Sequence, residues 1–135
     1  MANARIVRPD DQPQIDRGNG AVTVPLLLKE TGARSFISGI SIFQPGVAVP
    51  LHSHNVDEMV TVLEGTGECE VEGESTPVRA FDTSFIPAGE VHCFRNTGSA
   101  PMRILWVYAA TDVTRTFADT GETVPHLSAA DRIGR

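Results

Sequence analysis

The sequence is poor in cysteine, which excludes a disulfide framework. Only Cys69 and Cys93 are present among 135 residues, too few for the cross-linked scaffold of a small secreted domain. A chain of this length buries roughly two-thirds of its unfolded surface and needs no cross-links for stability. We therefore expect one domain with two reduced, mostly buried thiols. A cysteine nucleophile would need a lowered pKa, which the sequence does not indicate.

Long apolar runs and clusters of basic residues are missing as well. No apolar segment approaches the roughly 18 residues of a membrane-spanning helix, and the first residues lack the apolar centre of a signal peptide. The formal net charge is −6, with 17 acidic and 11 basic residues, and no basic stripe interleaved with aromatics is found. These absences argue against membrane and nucleic-acid partners. The interpretation is a cytoplasmic protein.

Glycine and proline, by contrast, are frequent. The 12 glycines and 9 prolines interrupt short segments of alternating or continuous apolar residues, a rhythm typical of an all-β sandwich or barrel. The predicted division is an N-terminal arm (1–20), a barrel (21–110) and a C-terminal tail (111–135). The tail is expected to be mostly coil, with a short helix capped by Ser128 as the alternative.

Three histidines and one glutamate stand at spacings that suit a single metal ion. His52 and His54 are two residues apart, so on a strand they point to the same face. Glu58 keeps that parity if the extended chain continues, and His92 follows a Pro-Ala-Gly turn. Three imidazoles and a carboxylate suit one divalent transition metal: iron, manganese, nickel, cobalt or zinc. About two coordination positions would stay free, which favours chemistry over a purely structural role.

These residues belong to two longer patterns that resemble the motifs of the cupin family. The first, G-x5-H-x-H-x3-E-x6-G, is complete at Gly46, His52, His54, Glu58 and Gly65. The second, G-x5-P-x-G-x2-H-x3-N, is matched by Pro87, Gly89, His92 and Asn96, whereas Phe81 stands where the first glycine is usual. That departure falls in a turn before a strand and leaves the ligand positions intact.

The resemblance implies a fold, a metal site and an assembly. The fold is a double-stranded β-helix, or jelly-roll cupin barrel, here with a short C-terminal extension. The implied ligands are His52, His54, Glu58 and His92. Many single-domain cupins are homodimers, and the apolar run 22–28 is a candidate contact surface, although it could equally be core. Burying these polar groups in a small barrel would be costly without a cation, which agrees with the resemblance.

Several other residues are candidates around this site. Asn96 is expected to be structural, and His126 to be an exposed tail residue, with closure over the barrel mouth as the alternative. Arg95, Arg103 and Arg115 could bind an acidic substrate but are expected to be solvated. The candidate pocket walls are Phe36, Ile40, Ile42, Phe94 and Trp106; on the last strand either the Ile104–Trp106 face or the Leu105–Val107 face could line the cavity.

Three functions remain open at this point. The first is a metal-dependent enzyme (isomerase, decarboxylase, lyase, hydrolase or dioxygenase) that acts on a small oxygenated organic molecule in the barrel, with Glu58 as catalytic base. The second is a non-catalytic module in which the metal orients a bound small molecule. The third is a metal-free cupin resembling sugar-nucleotide epimerases, which the complete ligand set argues against.

Overall fold

The computed structural model describes residues 4–133, and strands dominate this part of the chain. Two short 3₁₀ turns, Pro9–Asp11 and Lys29–Thr31, are its only helical segments. Its strands are β1 (Ile15–Gly18), β2 (Ala21–Leu27), β3 (Ile37–Phe43), β4 (His52–His54), β5 (Glu58–Glu64), β6 (Thr66–Val71), β7 (Glu74–Arg79), β8 (Thr83–Ile86), β9 (His92–Asn96), β10 (Met102–Tyr108), β11 (Thr114–Phe117) and β12 (Thr123–Pro125). No helix within residues 4–133 is long and apolar enough to cross a membrane.

The strands form two six-stranded antiparallel sheets that face each other. The first has the order β1-β2-β3-β10-β5-β8, and the second has the order β12-β11-β4-β9-β6-β7. Consecutive strands repeatedly switch between the sheets, which is the winding of a jelly-roll. The prediction of an all-β barrel of this type is confirmed.

The alternation in β10 shows which side chains point into the barrel. Met102, Ile104, Trp106 and Tyr108 are buried, whereas Arg103 is exposed and Leu105 and Val107 are half-buried. Because alternate residues of a strand face opposite sides, the Ile104–Trp106 face of β10 lines the interior. This result settles the alternative that the sequence left open.

The inward face of β3 is set by its contact with β10. Trp106 pairs with Gly39 across the ladder, and a Cβ atom on Gly39 would lie 2.3 Å from the Trp106 ring. Directly opposed residues project to the same side of a sheet. The odd-numbered residues of β3, including Ser41 and Phe43, therefore face the barrel interior, and its even-numbered residues face the other way.

Both chain ends contain more strand than the sequence indicated. Residues 15–18 form β1 within the predicted arm, and the predicted tail contains β11 and β12. The preference for coil in the tail was therefore wrong over these strands, because ladder pairing with β4 holds β11 in a sheet. The alternative of a helix at Ser128 was also wrong: residues 126–130 form turns. In the run 22–28, Val24 and Pro25 are buried and the remaining apolar residues are mostly half-buried.

Phe81 occupies the turn where the family motif usually has glycine. Its φ angle is +75°, in the left-handed region that side chains with a Cβ atom disfavour. The side chain is 79% exposed, so it gains little from packing in return. Phe81 in place of glycine therefore strains the backbone locally. The next strand is not disturbed, since β8 begins two residues later.

Candidate metal centre

The three motif histidines converge inside the barrel. His52 and His54 project inward from β4, and His52 is paired with His92 of β9. All three are buried, and one ring nitrogen from each lies within 4.8 Å of the other two. Nitrogens bound to one ion at about 2.0–2.2 Å lie at most about 4.4 Å apart. A closure of a few tenths of an ångström would therefore bring all three to metal-binding distance.

The backbone orients each of these imidazole rings. Nδ1–H donates to the carbonyl of Pro50 from His52 (2.6 Å), of Thr114 from His54 (2.9 Å) and of Glu90 from His92 (2.9 Å). A carbonyl oxygen only accepts hydrogen bonds, so Nδ1 carries a proton and Nε2 is the ring nitrogen that faces the cluster. Such outer hydrogen bonds fix the tautomer and orientation of metal-binding histidines.

Glu58 reaches the cluster from the opposite sheet. Glu58 does not share one continuous extended segment with His54, as parity along a strand would require, because the chain turns after His54 and Glu58 begins β5. Its Oε1 atom lies 3.0 Å from His92 Nε2 and 3.7 Å from His54 Nε2. The structure therefore places all four predicted ligands together, three from one sheet and one from the other.

The protonation states of these groups suit cation binding. Burial, the charge of Arg115 and the neighbouring histidines hold the pKa of His52 well below its usual range. Burial likewise lowers the pKa of His54 to about 4, although Glu58 acts in the opposite direction. Burial tends to raise the pKa of Glu58, but contacts with His92 and His54 outweigh it, so the net shift is downward. At neutral pH the imidazoles of His52 and His54 are thus unprotonated and the Glu58 carboxylate is ionised.

This arrangement fits a divalent cation on its own chemistry. With Nδ1 of His92 donating to Glu90, its Nε2 faces the Glu58 carboxylate 3.0 Å away, and without a proton on Nε2 both atoms are acceptors. Two acceptors at that distance need a proton or a cation between them. The imidazole and carboxylate donors are those that first-row transition metals use. The four residues therefore fit the predicted ion.

The cavity beside the cluster is small and largely aromatic. Its volume is about 30 Å³, room for little more than one water-sized species. Phe94, Trp106 and Tyr108 contribute aromatic rings to its wall. Tyr108 also donates its hydroxyl proton to His54 Nε2 at 3.2 Å, and burial raises the pKa of this hydroxyl well above its usual value.

The structure corrects part of the predicted pocket wall. Of the predicted wall residues, Phe94 and Trp106 line the cavity, whereas Phe36, Ile40 and Ile42 do not. The reason is the register of β3 against β10, which turns the even-numbered residues of β3 away from the interior. Phe36, which precedes β3, is 49% exposed. It lies instead in a shallow depression on the outer surface with Met59 and Phe85.

His126 is a cavity residue, against the expectation of an exposed position. Its ring packs at 5.0 Å from that of Trp106 and 4.9 Å from that of Tyr108, measured between centroids. It lines both the inner cavity and an open groove on the far side. The sequence offered only the weaker alternative, closure over the barrel mouth, and that alternative describes the structure. Burial and the charge of Arg115 lower the pKa of His126 well below its usual range.

Two arginines lie in the cavity wall against expectation. Arg17 was not singled out from the sequence, and Arg115 was expected to be solvated. Arg17 comes from β1 and Arg115 from β11, and they are only 3% and 5% exposed. Both contact the carboxylate of Asp131, at 3.0 Å and 2.8 Å respectively. Arg115 is paired with His54 across the β4–β11 ladder, which a strand assignment for the tail would have revealed.

The remaining candidates have structural surroundings. Arg95 pairs with Glu68 and Glu70, and Arg103 pairs with Glu64. Asn96 donates to the carbonyls of Phe43 and Ala100, as a structural role predicts. Cys69 and Cys93 are buried free thiols, and burial raises both pKa values, that of Cys93 to about 11. Neither thiol has the character of a nucleophile.

Comparison with known proteins places the chain in a family. The cupin domain model matches residues 39–108, and this protein belongs to that family. It is 34% identical to protein SchB of Streptomyces halstedii over 104 residues, which cover 76% of this chain and 75% of SchB. It is also 34% identical to polyketide synthase CurC of Streptomyces cyaneus over 70% of this chain and 62% of CurC.

Other similarities are more local or concern the fold. The chain is 42% identical to a 5-nitrosalicylic acid 1,2-dioxygenase of Bradyrhizobium over 60 residues, only 29% of that enzyme. A predicted oxalate decarboxylase of Thermotoga maritima superposes with a TM-score of 0.69 at 27% identity, over 78% of this chain and 99% of that one. The polyketide cyclase RemF of Streptomyces resistomycificus superposes with a TM-score of 0.72 at 21% identity, over 95% and 89%, which shows a shared fold.

Proposed function

We propose that this cupin is a mononuclear-metal enzyme acting on a small oxygenated organic molecule inside the barrel. One observation carries the proposal: three Nδ1–H groups donate to backbone carbonyls, which turns three Nε2 atoms toward one another beside an ionised carboxylate. His52, His54, His92 and Glu58 would hold one divalent ion of iron, manganese, nickel, cobalt or zinc. Such an ion supplies Lewis acidity to substrate oxygens.

Residues beside the metal site have the other roles in the proposed reaction. Glu58 is ionised at neutral pH and is the group positioned to accept a proton from the substrate. The hydroxyl of Tyr108 keeps its proton at any ordinary pH and serves as a hydrogen-bond donor. Phe94 and Trp106 exclude water from the reacting atoms, which strengthens these electrostatic contacts.

A polyketide-type substrate, with oxygens on alternate carbons, is the favoured class. Support comes from CurC, whose name is polyketide synthase and which is 34% identical over 70% of this chain. Carbon acids between two carbonyl groups lose a proton readily when the oxygens are held by a cation. Isomerisation, cyclisation and elimination would each begin with that proton transfer, with Glu58 as the base. Decarboxylation would instead break the bond to the carboxylate first, release CO2, and then protonate the enolate carbon.

A dioxygenase is the second candidate. The 42% identity to a 5-nitrosalicylic acid 1,2-dioxygenase favours it, although the match spans less than a third of that enzyme. An iron ion in a site with open positions can bind both substrate and dioxygen. Oxygen consumption separates this candidate from the first.

The test reconstitutes the chelator-treated protein with each of the five metals and supplies enolisable 1,3-diketones, catechols and hydroxybenzoates. We expect one ion per chain and turnover with at least one pair of metal and substrate. Glu58→Gln should lower kcat by at least about 100-fold, the usual contribution of a general base. Glu70→Gln is the control, because that carboxylate pairs with Arg95 on the other side of the sheet.

Two results would refute parts of the proposal. Stoichiometric metal binding without turnover under any condition would favour the non-catalytic binding module. Absence of metal binding would refute the centre itself. The homodimer and the cytoplasmic location stay predictions, and light scattering and fractionation of cells would test them.

A further inference from the structure

The cavity wall also carries two guanidinium groups, one from β1 and one from β11. Arg17 and Arg115 both line it and are almost fully buried. Buried arginines keep their charge and need a carboxylate or another anion nearby. Here Asp131 is the acidic residue that contacts both, and its carboxylate is completely buried.

The charges of this cavity balance only without a metal. The two guanidiniums are matched by the carboxylates of Asp131 and Glu58. A divalent ion at the histidines would leave two uncompensated positive charges in a nearly closed space. Positive charge that is buried and unpaired is unfavourable, so an occupant that displaces the Asp131 carboxylate must bring a negative charge of its own. The charge of Arg115 already acts on the cluster, since it lowers the pKa of His52 and of His54.

The two arginines are not equally satisfied by Asp131. Arg17 donates from Nε and Nη2 to the Asp131 carbonyl at 3.1 Å and 2.8 Å, and from Nη1 to the Thr23 hydroxyl at 3.0 Å. The Nε atom of Arg115 lies 2.8 Å from Asp131 Oδ1, yet its N–H is not directed at that oxygen and forms no hydrogen bond. Arg115 is thus a buried donor that a better-placed acceptor would suit.

Asp131 belongs to a short segment that could leave the cavity. We call residues 126–133 the C-terminal turn. Its backbone contacts to the barrel are His126 N–H to Val113 O (2.9 Å) and Ile133 N–H to Arg17 O (2.8 Å). Leu127 has a φ angle of +63°, which is unfavourable for a residue with a Cβ atom. His126 and Ile133 of this turn line the cavity and keep it near 30 Å³, too small for a ring-sized substrate.

We propose that Arg115, with Arg17 beside it, is the anion subsite of this cavity and binds the carboxylate or enolate of the substrate. The Asp131 carboxylate occupies this subsite until the substrate displaces the C-terminal turn. The inference rests on the proposed function, because it assigns a substrate class to the same cavity: anionic, oxygenated and flat enough for aromatic walls. The substrate acid replaces the Asp131 carboxylate, so no bond is made or broken.

The test compares benzoate with benzamide, which have the same shape and differ in charge. Their affinities for the full-length protein are measured by calorimetry, first after chelator treatment and then after loading with Zn²⁺. We expect benzoate to bind at least about 10-fold more tightly than benzamide in the chelator-treated protein, the lower bound for a charge-assisted hydrogen bond. Equal affinities would overturn the anion subsite. A protein that binds no metal at all still gives this ratio, so failure of the proposed function is seen separately.

Variants of Arg115 test whether this residue causes the preference for benzoate over benzamide. Arg115→Gln should bring the benzoate-to-benzamide ratio to about one, and Arg115→Lys, which keeps the charge and loses the planar fork, should reduce it only in part. Arg95→Gln is the matched control, because Arg95 pairs with Glu68 and Glu70 away from the cavity. An unchanged ratio in a folded Arg115→Gln or Arg115→Lys protein would overturn the assignment.

Hydrogen exchange tests displacement in the unmodified chain and needs no variant to fold. The amides of Leu127, Asp131 and Ile133 donate within the turn or to Arg17. Saturating benzoate should speed their exchange, while benzamide should not. Unchanged or slower exchange with benzoate bound would overturn the displacement of the turn.

Discussion

Two walls of this cavity, one of histidines and one of arginines, are built in different ways. The histidine wall, His52, His54 and His92, lies on adjacent strands in the middle of the chain, and backbone carbonyls orient its rings. The arginine wall brings together both chain ends, and side-chain ion pairs hold it. A ligand cannot replace the backbone carbonyls that orient the histidines. An anionic ligand can replace the carboxylate of the terminal turn in its ion pairs with the arginines. The first wall is therefore suited to a permanent cofactor and the second to a transient anion.

The largest expected effect lies in the arginine wall. Asp131→Asn leaves two buried guanidiniums without their carboxylate, so we expect a loss of about 3–5 kcal/mol in the free energy of unfolding. Urea denaturation measures it. Asp112→Asn removes an exposed pair with Lys29 and should cost less than about 1 kcal/mol. Equal losses would contradict the importance given to the buried network. Metal affinity should fall in Asp131→Asn, which removes a negative charge from the cavity, and should be nearly unchanged in Asp112→Asn.

The histidine wall is tested by metal affinity. His92→Ala removes one ligand, and we expect the dissociation constant to rise by at least about 100-fold, the upper range for changes that merely touch a ligand. A chelator competition assay gives the value, and circular dichroism checks the fold. His126→Ala is the control, because its ring lies in the same cavity on the side of Trp106. Similar affinities in the two variants would contradict the ligand assignment.

Gly39 lies against the ring of Trp106 in the wall of the cavity. A methyl group there would overlap that ring, so Gly39→Ala should cost about 1–3 kcal/mol through overpacking. Trp106 is the single tryptophan, and its fluorescence reports the displacement directly. In a Trp106→Leu background the same substitution should cost much less, because the ring that it meets is gone. Equal costs in both backgrounds would place the strain elsewhere.

The smallest effect concerns Phe81, the position where this chain departs from its family motif. Phe81→Gly should stabilise the protein by about 1 kcal/mol, because glycine adopts a φ angle of +75° without strain. Thermal denaturation measures the shift. Phe85 is also exposed but lies inside β8, so Phe85→Gly should destabilise the protein instead. A change of melting temperature in the same direction in both variants would contradict backbone strain at Phe81 as the cause.

The histidine wall could be predicted from the sequence because its residues repeat a strand's period of two and stand at family spacings. Glu58 was placed correctly for an incomplete reason, since it reaches the cluster across the barrel and not along one strand. The arginine wall could not be predicted, because Arg17 and Asp131 meet only after both chain ends have joined the sheets. The same limit applies to Phe36, Ile40 and Ile42: alternation shows that they share a face, but only the pairing of Gly39 with Trp106 decides which face is inside.

The central claim is that three imidazoles, fixed by the backbone, present Nε2 to a common cation. Long-range ¹H–¹⁵N NMR of the histidine rings during titration with Zn²⁺ tests it most directly. We expect His52, His54 and His92 to be protonated at Nδ1 throughout, with their Nε2 resonances shifting together and saturating at one ion per chain, while His126 does not follow them. Protonation at Nε2 in these three rings, or saturation without any change in them, would contradict the account.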